Sequence, residues 1–277
     1  LGARLSFEQR VTAGYSLDYG ATLSFQQFYP MRTRAVTDGV TIERGYPARE
    51  LLSAAVFLNN RFRRGAWSAD IGVRGAMYDN GKETSFAAEP RAQLSYDFGG
   101  DNAMWLSATM NSQALVQFNR YYYSTPIDFW TPFQDGKLQH AWQLSLGGRT
   151  RLHEHLTLSV ETYYKRMRNL PLIYDSDDFL LGRGGFVYGT GRAFGVETML
   201  QWQTERLSLT ASYAYTNSRR RSDGVTYPFE YDIPHDFNAF ASYDVVKREG
   251  RRHTLSLNVA WRTGLPYRLT NEAYPDT

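Results

Sequence analysis

Five histidines are the first candidates for acid–base or metal chemistry, and their neighbours limit what they could do. His153 and His155 flank Glu154 and could grip a metal ion from a turn. No third ligand stands nearby, and a zinc site needs three or four, so a solvated turn is the simpler reading. His235 lies between Asp232 and Asp236 and could form an acid–base pair, yet the block reads as the lead-in to a strand. Asp175, Asp177 and Asp178 offer hard oxygen ligands for a loop Ca2+ ion. They lack the glycine and distal glutamate of a helix–loop–helix calcium site. The expectation is no catalytic residues, no metal and no cofactor, with loop calcium as the weak exception. The absence of cysteine excludes thiolate zinc sites, disulfides and a cysteine nucleophile.

Two further groups suit binding rather than catalysis. Tyr121, Tyr122, Tyr123, Phe129, Trp130 and Phe133 crowd one connection, with Pro126 and Pro132 restricting its backbone. Aromatics held in this way make either a ligand platform or the anchor of the loop's own core. Arg219, Arg220 and Arg221 in one connection, and Arg32 and Arg34 in another, would attract phosphates. An ordinary charged loop explains them as well. The net charge of +3 over 277 residues is too small to suggest nucleic acid.

The elements that must position these residues are alternating strands. From Phe194 to Trp202 one set is Phe194, Val196, Thr198, Leu200 and Trp202, and Gly195, Glu197, Met199, Gln201 and Gln203 form the set between. After Thr204-Glu205-Arg206 the alternation resumes with Leu207, Leu209, Ala211, Tyr213 and Tyr215. A period of two is a strand with two different faces. Each arm runs about ten residues, the length a tilted strand needs to cross a bilayer. The same rhythm recurs along the chain, giving about twelve strands joined alternately by short turns and long connections. The long connections fall at 29–48, 111–136, 169–189 and 219–234.

A soluble antiparallel sandwich also alternates. Two features favour a membrane barrel, with lipid outside and a wet lumen inside. Outer-membrane barrels pair short periplasmic turns with long extracellular loops. The polar faces also carry bare charges, Glu161, Lys165, Glu197 and Arg262, which a dry core would not tolerate unpaired. No run approaches 18 apolar residues, so no transmembrane helix is expected. Aromatics reach 15%, led by 20 tyrosines, and tyrosine suits a membrane interface. The chain begins at Leu1 inside an alternating segment and ends at Thr277 in a loop-like stretch, so a fragment is expected.

Several stretches together resemble TonB-dependent outer-membrane receptors, in the branch that often carries an N-terminal carboxypeptidase-regulatory-like domain. They are Asp128-Phe129-Trp130-Thr131-Pro132, His140-Ala141-Trp142-Gln143-Leu144-Ser145-Leu146-Gly147, the run from Glu161 to Leu170, Gly191 to Glu197, Tyr231-Asp232 with His235-Asp236-Phe237-Asn238, and Trp261 to Tyr267. The resemblance implies an all-β, antiparallel transmembrane β-barrel of about 22 strands around a plug domain, of which this chain supplies about twelve. It implies a Gram-negative outer-membrane importer of a scarce solute, energised by the TonB-ExbB-ExbD complex through the plug. Glu161, Glu197, Gln201, Gln203 and Arg262 would then face the lumen and meet the plug. Lipopolysaccharide would meet the arginine loops, and a surface lipoprotein is a further conceivable partner. Siderophore, cobalamin, glycan and peptide all stay open as substrate. A self-contained barrel enzyme or a passive pore of about twelve strands is the alternative.

Overall fold

The computed structural model describes residues 1–29, 33–37, 40–44, 48–118, 129–172 and 186–266. Its strands are β1 (Gly2–Thr12), β2 (Tyr15–Phe28), β3 (Thr33–Thr37), β4 (Val40–Arg44), β5 (Arg49–Arg64), β6 (Trp67–Asp79), β7 (Thr84–Gly99), β8 (Asn102–Gln113) and β9 (Leu115–Phe118). They continue as β10 (Phe129–Pro132), β11 (Gln139–His153), β12 (Leu156–Leu172), β13 (Val187–Gln203), β14 (Leu207–Ser222), β15 (Val225–Pro228), β16 (His235–Arg248) and β17 (Arg251–Arg262). One sheet runs β1-β2-β5-β6-β7-β8-β11-β12-β13-β14-β16-β17, every neighbour antiparallel, and β15 pairs off β14. β3–β4 and β9–β10 are separate two-stranded pieces within the connections. The twelve strands of the main path are those the alternation predicts.

The sheet is an open wall. β1 and β17 end the order and do not pair with each other among the described residues. Its two faces differ as the sequence requires. Leu5, Leu23, Val56, Val73, Leu94, Leu106, Leu144, Val160, Phe194, Tyr213 and Leu257 stand exposed on one face. The other face carries charged and amide side chains such as Asp18, Asn59, Arg61, Glu161 and Glu197. A soluble protein would bury that apolar face, whereas a bilayer covers it and the strand ladders satisfy the backbone.

Strand length departs from the alternation. β12 and β13 have 17 residues each and β14 has 16. At roughly 3.3 Å per residue and a tilt of about 40°, a strand of about 17 residues climbs about 43 Å, well past an apolar band of about 25 Å. The upper ends therefore leave the band and become polar on both faces. For this reason Arg219–Ser222 belongs to β14 and Val225–Pro228 turns back as β15, where the sequence suggests only a polar loop. Likewise β7 begins at Thr84, ahead of the alternation at Ala92. Pro90 sits just beyond the last β7–β8 pair, Arg91 with Thr109, and proline is tolerated where a ladder has ended.

Six connections at one end are short: 13–14, 65–66, 100–101, 154–155, 204–206 and 249–250. The connections at the other end are long, except 80–83 between β6 and β7. That exception matters, because it holds part of the longest connection in place.

Candidate functional site

The polar face is wired across strands. Glu8 on β1 and Asp18 on β2 both face Arg61 on β5, at 3.5 and 3.7 Å. Asn59 Nδ2 donates to Asp18 Oδ2 at 3.0 Å, and Arg91 Nε on β7 donates to Asn59 Oδ1 at 3.0 Å. Four strands are joined while β6 contributes no side chain, because its residue at that rung is Gly72. Higher up, Arg74 Nη1 donates to Glu89 Oε2 at 2.8 Å and to the Tyr78 hydroxyl at 3.1 Å. The other oxygen of Glu89 accepts the backbone N–H of Ser112 at 3.1 Å. Ser112 lies beyond the point where the β7–β8 ladder opens, so Glu89 supplies the missing ladder acceptor.

Large side chains on this face lie over glycines of the adjoining strand. A Cβ on Gly147 would sit 2.3 Å from the Trp105 ring, and one on Gly195 would sit 2.5 Å from the Tyr163 ring. Trp105 thereby crosses β11 and donates Nε1–H to Glu161 Oε2 at 3.0 Å. Glycine in a strand costs backbone entropy, and an aromatic laid across it restores packing. Only the register reveals these pairs, which is why the period alone misses Trp105, Tyr163, Arg74 and Glu89.

At the long-connection end, the stretch 132–138 folds onto the polar face. Phe133 and Leu138 are 2% exposed and pack with Ala114 against Leu51, Ala55, Ala76, Tyr78 and Ala87. The backbone here is fixed from several sides. Phe133 N–H donates to Ala114 O at 2.7 Å, and Asn80 Nδ2 donates to Phe133 O at 2.8 Å. Gly136 N–H donates to Glu83 Oε2 and Ser85 Oγ donates to Gly136 O, both at 2.8 Å. From the other side, Asn169 Nδ2 donates to Leu138 O at 3.0 Å and Tyr188 OH donates to Gln134 O at 2.6 Å. Burial, with Asp135 and Glu83 nearby, raises the Tyr188 phenol well above its usual range, so it stays a donor. The clasp turns at Asp135 and Gly136, with φ of 54° and 63°, the left-handed pair of a type I′ turn. The short 80–83 connection is the rigid jaw: Asn80 Oδ1 accepts the N–H groups of Lys82 and Glu83 at 2.9 and 2.8 Å.

The residues singled out in the sequence are distributed as follows. Glu161 and Glu197 are direct cross-strand partners on the polar face. Gln201 and Gln203 lie lower on β13, towards the short turn, and Arg262 stands apart at the β17 edge. Trp130 is 41% exposed, in contrast to Phe133 on the same stretch. Phe129 pairs through its backbone with Phe118. Tyr121, Tyr122, Tyr123, Asp175, Asp177, Asp178 and Arg32 lie outside the described residues, and Arg34 is placed only as a member of β3. His153 ends β11 and His155 lies in the short turn that follows, with ring centroids 5.9 Å apart, and among the described residues no group of three potential metal ligands forms. His235 bonds the Tyr213 hydroxyl at 2.8 Å, whereas buried Asp232 accepts the Ser218 N–H at 3.1 Å. His235 and Asp236 point to opposite faces, so the three do not converge.

An antiparallel wall with an apolar outside, a hydrogen-bonded polar inside and one rim of long connections is part of a transmembrane β-barrel. The family model described as TonB dependent receptor-like, beta-barrel matches residues 1–277, and the chain belongs to that family. Among solved structures it is similar to the FrpB iron transporter of Neisseria meningitidis, at 11% identity and a TM-score of 0.65, covering 94% of this chain and 41% of that one. It is also similar to BauA, the ferric preacinetobactin receptor of Acinetobacter baumannii, at 13% identity and a TM-score of 0.64, covering 95% and 43%. The copper transporter OprC matches at 12% identity and a TM-score of 0.64, covering 88% and 41%. The chain thus spans less than half the length of these structures. A comparison with curated proteins yields no match.

Proposed function

We propose that this chain forms about half of the barrel wall of an importer in the Gram-negative outer membrane. That importer takes up a scarce extracellular solute with energy delivered by the TonB-ExbB-ExbD complex. The supporting observation is the polar face itself, with charged and amide side chains joined across β1 to β7 and Glu161 beside Glu197. Fixed polar groups of this kind suit a wall that packs against a protein plug. In this reading the plug domain of the same protein packs on Glu161, Glu197, Gln201, Gln203 and Arg262, and passes the pull of TonB to the solute site. The clasped stretch at 132–138 roofs the lumen, and the exposed Trp130 beside it offers a contact for the solute.

Cells carrying the full-length protein, with and without TonB, test this reading. Uptake is measured over a panel of ferric siderophores, cobalamin, glycans and peptides. One class should accumulate only when TonB is present. Accumulation indifferent to TonB would instead favour the passive pore.

A further inference from the structure

The apolar face changes character above its aromatic rung. Trp142 and Tyr164 lie with ring centroids 5.6 Å apart, and Phe194 pairs with Tyr164. One rung higher, Arg166 stands opposite Trp142 on one side and Arg192 on the other, and Arg192 stands opposite Arg219. Three arginines thus occupy one row on the adjacent strands β12, β13 and β14, on the face that the bilayer covers below. Arg168 and Arg221 extend the cluster upward, and all five are exposed. Among the described residues none of the five forms an ion pair. The row is bounded by Trp142 and by Pro228, so it contains no carboxylate.

Like charges directly opposite on a sheet repel one another, so an anion between the members of the row would relieve that repulsion. A guanidinium matches a phosphate in a bidentate fork. Aromatic side chains mark the headgroup level of a barrel, so the row sits where lipid phosphates lie, directly above lipid-facing Leu144 and Val160. We propose that Arg166, Arg192 and Arg219, extended by Arg168 and Arg221, bind the phosphate groups of an outer-leaflet phosphorylated glycolipid, whose acyl chains run down the wall below. This inference rests on the outer-membrane placement proposed above.

The test uses the full-length protein purified from outer membranes, titrated in detergent with bisphosphorylated lipid A, with its dephosphorylated form and with inorganic phosphate. The combined Arg166→Gln, Arg192→Gln and Arg219→Gln variant should bind bisphosphorylated lipid A about a hundredfold more weakly. Arg149→Gln, on the polar face, should leave binding unchanged. Unchanged binding in the triple variant would overturn the proposal. So would equal affinity for the dephosphorylated lipid, or full competition by inorganic phosphate at matched concentration. If the triple variant fails to insert, Arg192→Gln alone is measured, with about a tenfold loss expected and no loss overturning the site. Cell fractionation and the heat-shifted gel mobility of a folded barrel report the outer-membrane placement separately from lipid binding.

Discussion

Arg91 reaches Asn59 across an intervening strand, with its Nε 3.0 Å from Asn59 Oδ1, because the residue between them is Gly72. A Cβ at that position would sit 2.2 Å from Asn59 Oδ1 and 3.0 Å from Arg91 Nε. Gly72→Ala should therefore break the contact and lower the unfolding free energy by about 1–2 kcal/mol. In an Asn59→Ala background the same change should cost markedly less, because the obstructed atom is gone. Urea unfolding of the four proteins of this double-mutant cycle measures the coupling, and strict additivity would show that the bridge does not form.

The two faces of β11 should respond oppositely to charge. Leu146 is exposed on the apolar face at the middle of the strand, and Gln143 lies on the polar face. Leu146→Arg should cost about 2–4 kcal/mol in a bilayer, and Gln143→Arg should fold nearly as the parent does. Folding into vesicles ranks the pair, and the reverse order would invert the wall.

Much of this wall is legible in the chain because a period of two is a direct consequence of strand geometry. The twelve strands of the sheet follow from alternating apolar sets such as Trp142, Leu144 and Leu146, or Leu255, Leu257 and Val259. The site is less legible. Glu89 and Arg74 meet only through the pairing of β6 with β7, and Trp105 reaches Glu161 only because Gly147 lies between them. Such contacts depend on register, which alternation does not fix. The upper ends of β7 and β14 escape for a different reason: outside the apolar band neither face needs to be apolar, so the period fades.

Sidedness can be read with single thiols, since the chain has no cysteine of its own. Asp223 lies in the turn between β14 and β15 at the end with long connections, and Glu205 lies in the short turn before β14. Asp223→Cys should react with an impermeant maleimide on intact cells, and Glu205→Cys only after the outer membrane is opened. Labelling of Glu205→Cys alone on intact cells would reverse the orientation.

The jaw at 79–84 should loosen in acid. The Thr84 hydroxyl and the Gly81 N–H hold the Asp79 carboxylate below its ordinary pKa of 3.8. A depressed carboxylate pKa contributes stability that is present above the unfolded value and is lost as pH falls through the folded one. Amide exchange in 129–138 should therefore accelerate as pH drops below about 3.8, after correction for intrinsic rates. Asp79→Asn should flatten that dependence. An unchanged profile in Asp79→Asn would remove Asp79 from the clasp.

Phe133 and Trp130 should separate anchoring from solute contact. Phe133 is 2% exposed inside the cluster formed by Leu51, Ala55, Tyr78 and Leu138, while Trp130 is 41% exposed three residues earlier. Removing a buried phenyl costs about 3–5 kcal/mol in a well-packed core. Here the loss falls on a connection, so it should appear as local opening rather than as a weaker barrel. Phe133→Ala should speed exchange at the Phe133 and Lys137 amides, which bond Ala114 O and Gln134 O, and leave the β11–β14 ladders protected. Trp130→Ala removes no buried contact of that cluster, so the same amides should keep their protection. If Trp130 touches the solute, its loss should weaken uptake at an unchanged surface level. Faster exchange at Phe133 in Trp130→Ala would instead make the tryptophan part of the anchor, and full uptake with unchanged exchange would leave it neither role.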